Sequence, residues 1–495
     1  MNHISCVSID LINADKPPAA LAFLAGACEA TNIPYSCFSL NSCLLGELPT
    51  NEYNALYNNL KLGSLIDPNN STKKIVNKII NYIEQSDSNC LLVSLFSFMQ
   101  LPVAQLFLTE IRNQLPNIII IAGGPGINYT TPDGVTNGKR LLKQGLVDFY
   151  CLGEGDELLI SFLRGERNML GLNSQAHPIE SWVPQIDDLD KNYLVPSYQK
   201  IETANYHNIE NKATAVFSIS TSRGCVRDCA FCDVGKTWKK FRFRSGLNVA
   251  QEILKHHLEV GAVNFTIVDS LINGSLKSFN EFNIEVSRLK HQYSTLKDFS
   301  YNGMFIVRDQ KTHTEQMFAQ MKDAGCESLA IGVETGSDRL RFEMNKKFTN
   351  VDLDYHFEMC QKYGIRNSLL TFVGYPTETA KDFQDTLAML DRYQKYLIND
   401  TIIGINHSGV FSLLPDTPIF ENREEIGIHW EYQENRSEKL SWFNNNNPTL
   451  TIKERVSRDL AFRQRAIELR YPIPYSLRYL EYMKQITPDF VPVSD

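Results

Sequence analysis

One short stretch constrains this chain more than any other. Residues 223–235, RGCVRDCAFCDVG, place Cys225, Cys229 and Cys232 within eight positions. The other eight of the 11 cysteines are dispersed singly. Thiolates are soft ligands that favour zinc or iron–sulfur clusters. The stretch therefore predicts a metal centre, and the surrounding elements must build a fold that presents it.

The spacing C-x3-C-x2-C leaves two kinds of metal centre open. A structural zinc site needs four protein ligands, so Asp233 or a distant histidine would have to complete it. A cubane iron–sulfur cluster instead takes three thiolates and leaves one iron open to bind a substrate. The first centre predicts a colourless binding module that contains zinc, and the second predicts a brown enzyme that contains iron and sulfide.

The elements around the cysteines favour the open cluster. Residues 212–420 alternate strand candidates with helical patterns, which predicts a partial (β/α)6 barrel with parallel strands. The strand candidates are residues 215–220, 263–268, 299–305, 327–333, 368–374 and 401–411. The cysteines directly follow the first strand, at the carboxyl end where barrel active sites lie.

Residues 1–165 predict a second α/β domain. Short apolar runs alternate there with helical patterns, which indicates a Rossmann-like parallel sheet covered on both faces. The runs are residues 4–11, 35–40, 90–96, 117–124 and 147–153. The polar, proline-containing residues 166–211 predict a linker, and residues 421–495 a C-terminal extension with a helix at 452–471.

Charge and hydropathy exclude several classes of protein. The net charge is −8 and no long basic run occurs, so general electrostatic binding of nucleic acid is not expected. The basic, aromatic stretch 236–245 favours a solvated strap, and contact with the acidic tail of a cofactor, a phosphorylated substrate or nucleic acid is the alternative. The N-terminus does not resemble a signal peptide, and polar residues interrupt the apolar run 90–108. We therefore expect a cytoplasmic protein with no membrane span.

The signature CVRDCAFC resembles that of the radical S-adenosylmethionine (SAM) superfamily, and the resemblance extends over residues 212–420. It implies that Cys225, Cys229 and Cys232 hold a [4Fe–4S] cluster whose open iron chelates SAM, beside the aromatic Phe231. One electron from the cluster would cleave SAM, and the resulting 5′-deoxyadenosyl radical would abstract hydrogen from an unactivated carbon. The implied partner is a one-electron donor such as flavodoxin or ferredoxin.

The resemblance also implies which residues bind SAM. Asp269 and Ser270 follow the second strand, where the family contacts the methionyl amine, although the usual Gly-Gly-Glu is absent. Arg308, in FIVRD, would pair with the SAM carboxylate. Glu334, in IGVETGSD, would accept a hydrogen bond from a ribose hydroxyl.

The fifth-strand segment FVGYPTET resembles the turn near adenine and contributes Gly374 and Glu378. For Glu378, an ordinary salt bridge is an equal alternative. Tyr375, Trp238 and His407 lie near strand ends in sequence, and we expect them to line the cavity.

Residues 1–165 resemble the cobalamin-binding domain that precedes the radical domain in one branch of the superfamily. The matching pieces are VSLFS, IIIAGGPGI and VDFYCLGEGDELL. The resemblance implies that Ser94 hydrogen-bonds the nucleotide tail of cobalamin and that Gly123 and Gly124 allow close approach of the backbone. A packing domain without a ligand is the alternative.

One departure from the cobalamin pattern concerns the loop 9–18, which contains no histidine to ligate cobalt from below. Cobalamin, if bound, would lack a histidine ligand from the loops of this domain. Glu154 and Asp156, in GEGDE, are expected to cap the helix that follows.

With both cofactors, the resemblance implies methyl transfer to a carbon of a small-molecule or natural-product-like substrate. Radical rearrangement or cyclisation without methyl transfer is the alternative. A second iron–sulfur cluster is not expected, because Cys326 and Cys360 are isolated and no cysteine follows them. No side chain is assigned a catalytic role, since the radical chemistry belongs to the cofactors.

Overall fold

The computed structural model describes residues 3–10, 16–49, 51–54, 56, 71–131, 134–177, 179–203, 206, 215–415, 417–429 and 442–474. Parts of the expected loop 9–18, of the linker and of the C-terminal extension therefore lie outside the described residues. The chain divides into two compact units, residues 1–219 with 251–265 and residues 220–250 with 266–495.

The first unit contains a six-stranded sheet with strand order β2-β1-β3-β4-β5-β6. Its strands are β1 Ile4–Ile9, β2 Tyr35–Ser39, β3 Cys90–Leu95, β4 Ile119–Gly123, β5 Phe149–Cys151 and β6 Leu172–Asn173. Strands β1 to β5 pair in parallel, and β6 joins β5 antiparallel. Every residue of β1 and β3 is buried, as expected for a parallel sheet covered on both faces.

Helices cover this sheet. They are α1 Ala19–Ala30, α2 Leu40–Glu47, α3 Ser71–Gln85, α4 Leu101–Gln114, α5 Pro125–Asn128, α6 Asn137–Lys143, α7 Asp156–Leu163 and α8 Leu189–Asn192. In helix α3 the sequence pattern that favours a helix packed on the sheet is clearest. Ile75, Ile79 and Ile83 recur at helical spacing and are buried in the same apolar core as Val7 and Leu91.

A second six-stranded sheet has the order β14-β13-β12-β11-β10-β7. The strands along this part of the chain are β7 Val216–Ile219, β8 Ser222–Arg223, β9 Arg242–Phe243, β10 Asn264–Ile267, β11 Ser300–Phe305, β12 Cys326–Glu334, β13 Arg366–Val373, β14 Ile402–Val410, β15 Ile428–His429 and β16 Phe443–Asn444. Strands β11 to β14 pair in parallel, and β8–β9 and β15–β16 form short antiparallel ribbons.

Helices follow most of these strands. They are α9 Val234–Thr237, α10 Gly246–Val260, α11 Leu276–Gln292, α12 Glu315–Ala324, α13 Asp338–Glu343, α14 Asn350–Tyr363, α15 Ala380–Tyr393, α16 Pro418–Glu421 and α17 Ile452–Glu468. Capping boxes start α14 at Thr349 and α15 at Thr379, which satisfies orphan backbone donors there. The α/β fold class with two parallel sheets is confirmed, and the predicted C-terminal helix is α17. None of the helices in the described part of the chain is long and apolar enough to cross a bilayer.

Candidate active site

The cysteine loop runs from β8 to α9 and closes on itself by a tight turn. The amide of Cys232 donates to the carbonyl of Cys229 over 3.0 Å. Gly224 precedes the first cysteine with φ +88°, and a Cβ there would lie 2.7 Å from the carbonyl oxygen of Lys240. The loop therefore requires glycine at this position. Cys229 is buried, and Cys225 is half-buried.

Burial raises the pKa of all three thiols, that of Cys229 to about 11, and the positive charge of Lys346 opposes the rise at each. Metal binding needs thiolates, so a nearby cation favours the form that binds. Among the described residues, no three His, Cys, Asp or Glu side chains converge on a single ion position. A cubane places each thiolate on a different iron and so does not require convergence on one point. The donor set, three thiols beside a cation, fits such a cluster.

A turn after α13 docks onto the cysteine loop. The amide of Ala230 donates to the carbonyl of Met344 over 3.1 Å, and the side-chain amide of Asn345 donates to the carbonyl of Asp228 over 2.7 Å. Asn345 and Lys347 both have left-handed backbones, with φ of 62° and 55°. These contacts hold the intervening lysine against the loop.

Lys346 forms a buried ion pair with Glu334, at the end of β12. Their Nζ and Oε1 atoms are 2.6 Å apart, and the Nζ lies 5.6 Å from the centroid of the Phe231 ring. A Cβ on Gly332 would lie 2.5 Å from both charged atoms, so a larger residue there would shift the ends of the pair. Burial disfavours the charged lysine, but the attraction of Glu334 and Cys229 prevails and raises its pKa. Sequence reasoning missed Lys346, because an isolated lysine after a short helix carries no signal.

Arg308 follows β11, and its Nη2 donates to the carbonyl of Asn273 over 3.2 Å. Burial and the charge of Arg227, from the cysteine loop, lower the pKa of Arg308. The buried Nε atoms of Arg308 and Arg227 have no hydrogen-bond partner among the described residues. Two half-buried guanidinium groups with unpaired donors fit a carboxylate ligand.

Asp269, expected to meet the methionyl amine, is buried and accepts hydrogen bonds from its own chain. The hydroxyls of Ser220 and Ser222 each donate over 2.9 Å, and the amide of Thr221 donates over 3.0 Å. Burial raises the pKa of Asp269 to about 6. The carboxylate thus fixes the segment that leads into the cysteine loop, and Ser270 beside it is half-buried.

Glu378, expected near adenine, is buried in a salt bridge. Its carboxylate accepts from the amide of Gly374 over 3.0 Å and from Nη1 of Arg458 over 2.9 Å. Gly374 has φ +77°, and a Cβ there would lie 2.8 Å from Cγ of Arg455. Both arginines belong to α17, so the C-terminal helix occupies these two residues. This is the salt-bridge alternative that the sequence left open.

The three residues expected to line the cavity differ in their surroundings. His407 is 3% exposed, and its ring nitrogens contact Asp459 Oδ1 and Thr371 Oγ1, each at 2.8 Å. Helix α17 therefore covers this residue, and its place in the cavity stays a prediction. Tyr375 is buried in an apolar cluster, and Trp238 is half-buried near two arginine side chains of the β8–β9 ribbon.

In the first unit, Ser94, Gly123 and Gly124 lie together at the carboxyl ends of β3 and β4. Ser94 and Gly123 are register partners. Gly124 has φ +100°, and a Cβ there would lie 2.6 Å from the carbonyl oxygen of Leu95. A Cβ on Gly123 would meet only Cβ of Cys151, at 3.8 Å. Packing therefore explains Gly124, whereas Gly123 leaves the edge accessible to a flat ligand, which fits the cobalamin expectation.

Neither Glu154 nor Asp156 is the N-cap residue of α7, which is Gly155, so that part of the prediction was wrong. Asp156 lies in the first turn of the helix, where a carboxylate is favourable. The amide of Ile186 donates to Glu154 over 3.2 Å, and the amide of Leu194 donates to Asp156 over 3.0 Å. The two carboxylates therefore fasten part of the expected linker to the first unit.

Comparison with known proteins finds a family match in the middle of the chain. Residues 219–390 match the family model of the Radical SAM superfamily. An anaerobic magnesium-protoporphyrin IX monomethyl ester cyclase of Rubrivivax gelatinosus is 26% identical over 55% of this chain and 49% of its own length. An uncharacterised methyltransferase of Pyrococcus horikoshii is 24% identical over 56% of this chain and 58% of its own length. The chain thus spans about half the length of these curated relatives.

Solved structures extend the likeness in fold to most of the chain. The radical SAM methyltransferase TsrM of Kitasatospora setae, solved with cobalamin and a [4Fe–4S] cluster, has a TM-score of 0.64 at 16% identity and covers 88% of this chain and 82% of its own. The cobalamin-dependent SAM radical enzyme OxsB has a TM-score of 0.62 at 15% identity and covers 86% of this chain and 61% of its own. Residues 219–390 therefore resemble a radical SAM domain, and the chain shares the fold of TsrM and OxsB.

Proposed function

We propose that this chain is a cobalamin-dependent radical SAM enzyme that methylates an unactivated carbon of a small molecule. The observation that carries the proposal is the loop of Cys225, Cys229 and Cys232 at the strand ends of a matched radical SAM domain. The fold shared with two enzymes whose structures contain cobalamin supports the second cofactor. A relative named as a methyltransferase supports the reaction.

Different residues of the site would bind the cluster and the separate groups of SAM. Cys225, Cys229 and Cys232 would hold the cluster, while Arg308 and Arg227 would bind the SAM carboxylate. The carboxylate of Glu334 would accept a ribose hydroxyl. When bound, the cluster and SAM supply a 5′-deoxyadenosyl radical, and the protein contributes orientation and exclusion of water.

Radical cyclisation or rearrangement without methyl transfer is a second candidate. The Rubrivivax gelatinosus relative is named as a cyclase, which favours it. Both candidates take a small-molecule or natural-product-like substrate and a one-electron donor such as flavodoxin or ferredoxin, in the cytoplasm. They share every role assigned to the chain up to hydrogen abstraction, and so differ only in the fate of the substrate radical.

Anaerobic purification with cobalamin supplied, followed by a visible spectrum and analysis of iron, sulfide, zinc and cobalt, tests the proposal. We expect about four irons and about one cobalt per chain, with 5′-deoxyadenosine formed from SAM under dithionite. Iron and sulfide without cobalt would retain the radical enzyme and exclude cobalamin-dependent methyl transfer. A colourless protein that contains only zinc would overturn the proposal.

A further inference from the structure

A charged lysine lies beside the cysteine loop, with its Nζ 5.6 Å from the centroid of the Phe231 ring. The side chain of Lys346 is only 16% exposed. Burying a charge costs several kcal/mol unless the charge is paired. Glu334 supplies one pairing, at 2.6 Å. The lysine also acts on all three cysteine thiols, since its charge opposes the rise in pKa at each.

Hydrogen bonds fix the backbone around the pair. Asn345 ends α13 in a left-handed conformation, with φ of 62°, and the amide of Lys346 donates to the carbonyl of Arg341 over 2.8 Å. Glu334 and Lys347 are also left-handed, with φ of 63° and 55°. Two further hydrogen bonds join this turn to the cysteine loop. The lysine is therefore fixed relative to the cysteines rather than free to move to solvent.

We propose that Lys346 is a positioning residue that raises the reduction potential of the cluster, while its partner Glu334 lowers that potential. The inference rests on the proposed function, because it needs a cluster on the three cysteines. When a one-electron reductant reduces the cluster, the site gains one negative charge. A fixed cation nearby stabilises the reduced form, and a fixed anion destabilises it.

Because the two residues carry opposite charges, removing each one should shift the midpoint potential of the cluster in the opposite direction. Lys346→Met removes the cation and keeps most of the side-chain volume, so the midpoint potential becomes more negative. Glu334→Gln removes the anion and leaves the lysine unneutralised, so the potential becomes more positive. The double variant changes the net charge by zero and returns toward the wild-type potential. A merely structural role would move both single variants in the same direction.

The measurement is a titration of the reconstituted, SAM-free protein with dithionite and redox mediators, monitored by electron paramagnetic resonance. We expect each single variant to change the ratio of reduced to oxidised cluster at least tenfold at a fixed potential, which is about 59 mV for one electron. Lys362→Met is the matched control, because Lys362 also pairs with a glutamate, Glu315, but its side chain is half exposed and far from the cysteines in sequence.

The outcomes separate this inference from the proposed function. A wild-type protein that binds no iron overturns the proposed function, and the inference with it. Four-iron variants whose potentials equal that of the wild type overturn the inference alone. If Lys346→Met fails to assemble the cluster, Glu334→Gln decides: a more positive potential supports the inference, and an unchanged or more negative one overturns it.

Discussion

The carboxyl ends of the strands differ between the two sheets: close packing accounts for the residues in the first sheet, whereas charged residues are buried in the second. At the ends of β3 and β4, a single close approach to Leu95 accounts for Gly124, and no charged side chain is needed. Past β12 and around the cysteine loop, charged groups are buried and left-handed backbone recurs at residues other than glycine. Packing alone can produce the first region. The second contains buried charges, which oppose folding unless they are paired.

This difference shows how far the residues of the chain support each proposed cofactor. The cysteine loop and Lys346 lie near two arginines whose Nε atoms have no hydrogen-bond partner in the part of the chain that the structure describes. The chemistry of this site follows from its own residues. The edge of the first sheet offers Ser94 and an accessible Gly123, so cobalamin rests mainly on likeness in fold. The predictions below test this contrast, from the largest expected effect to the smallest.

The largest effect is expected at the cysteine loop. Cys229→Ala should abolish both the cluster and the cleavage of SAM, because a cubane cannot be held by the two remaining thiolates in this loop. Iron analysis and assay of 5′-deoxyadenosine measure both. Cys43→Ser, at a half-buried cysteine of the first unit, is the control and should keep both. Cleavage that persists in Cys229→Ala would remove the central assignment.

A smaller loss is expected at the pair of arginines. Arg308→Met should weaken SAM binding about tenfold to a hundredfold, since a charge-assisted hydrogen bond contributes about 1.5–3 kcal/mol. Decarboxylated SAM lacks the group that Arg308 is proposed to bind, so its affinity should change little. Equilibrium binding of both ligands measures the difference. Arg288→Met, on an exposed helix face, is the control, and equal losses for both ligands would contradict the assignment.

The two glycines at the edge of the first sheet should respond differently. Gly124→Ala forces a Cβ against Leu95 at a positive φ and should lower stability by about 1–3 kcal/mol. Gly123→Ala meets only Cys151 at 3.8 Å and should leave stability nearly unchanged. Thermal unfolding compares the two variants. Loss of cobalt in Gly123→Ala with unchanged stability would give the first sheet edge a ligand role, whereas equal destabilisation by both variants would contradict the contrast.

The smallest effect is expected on the pH dependence of stability, at two buried aspartates. One follows a strand of the first sheet and the other follows a strand of the second. Burial raises the pKa of Asp10, after β1, and of Asp269 to about 6. Between about pH 4 and pH 6 the folded carboxyl binds a proton that the unfolded chain does not, so stability falls as pH rises. Asp10→Asn and Asp269→Asn should each flatten this slope by up to about 1.4 kcal/mol per pH unit. Urea unfolding across this range measures the slope, and profiles parallel to the wild type would contradict it.

Most of the fold could be predicted because hydrophobic patterning is local. The runs at 4–11 and 90–96 became β1 and β3, and 401–411 became β14. The side-chain partners could not be predicted this way. Glu154 and Asp156 looked like helix caps, yet they bind backbone amides about 30 residues or more along the chain. His407 lies at a strand end, but α17 brings Asp459 over it.

The sequence by itself determined the alternation of strands and helices, the position of the three cysteines after the first strand of the second sheet, and hence the resemblance to the radical SAM superfamily. Only the tertiary structure decided which buried charges meet. Lys346 joins Glu334, Arg227 comes near Arg308, and Glu378 pairs with Arg458 of the last helix. The physical reason is how far apart in the sequence the interacting residues lie. Periodicity and ligand spacing act between neighbours in sequence, whereas ion pairs depend on distances that exist only after distant segments have packed together.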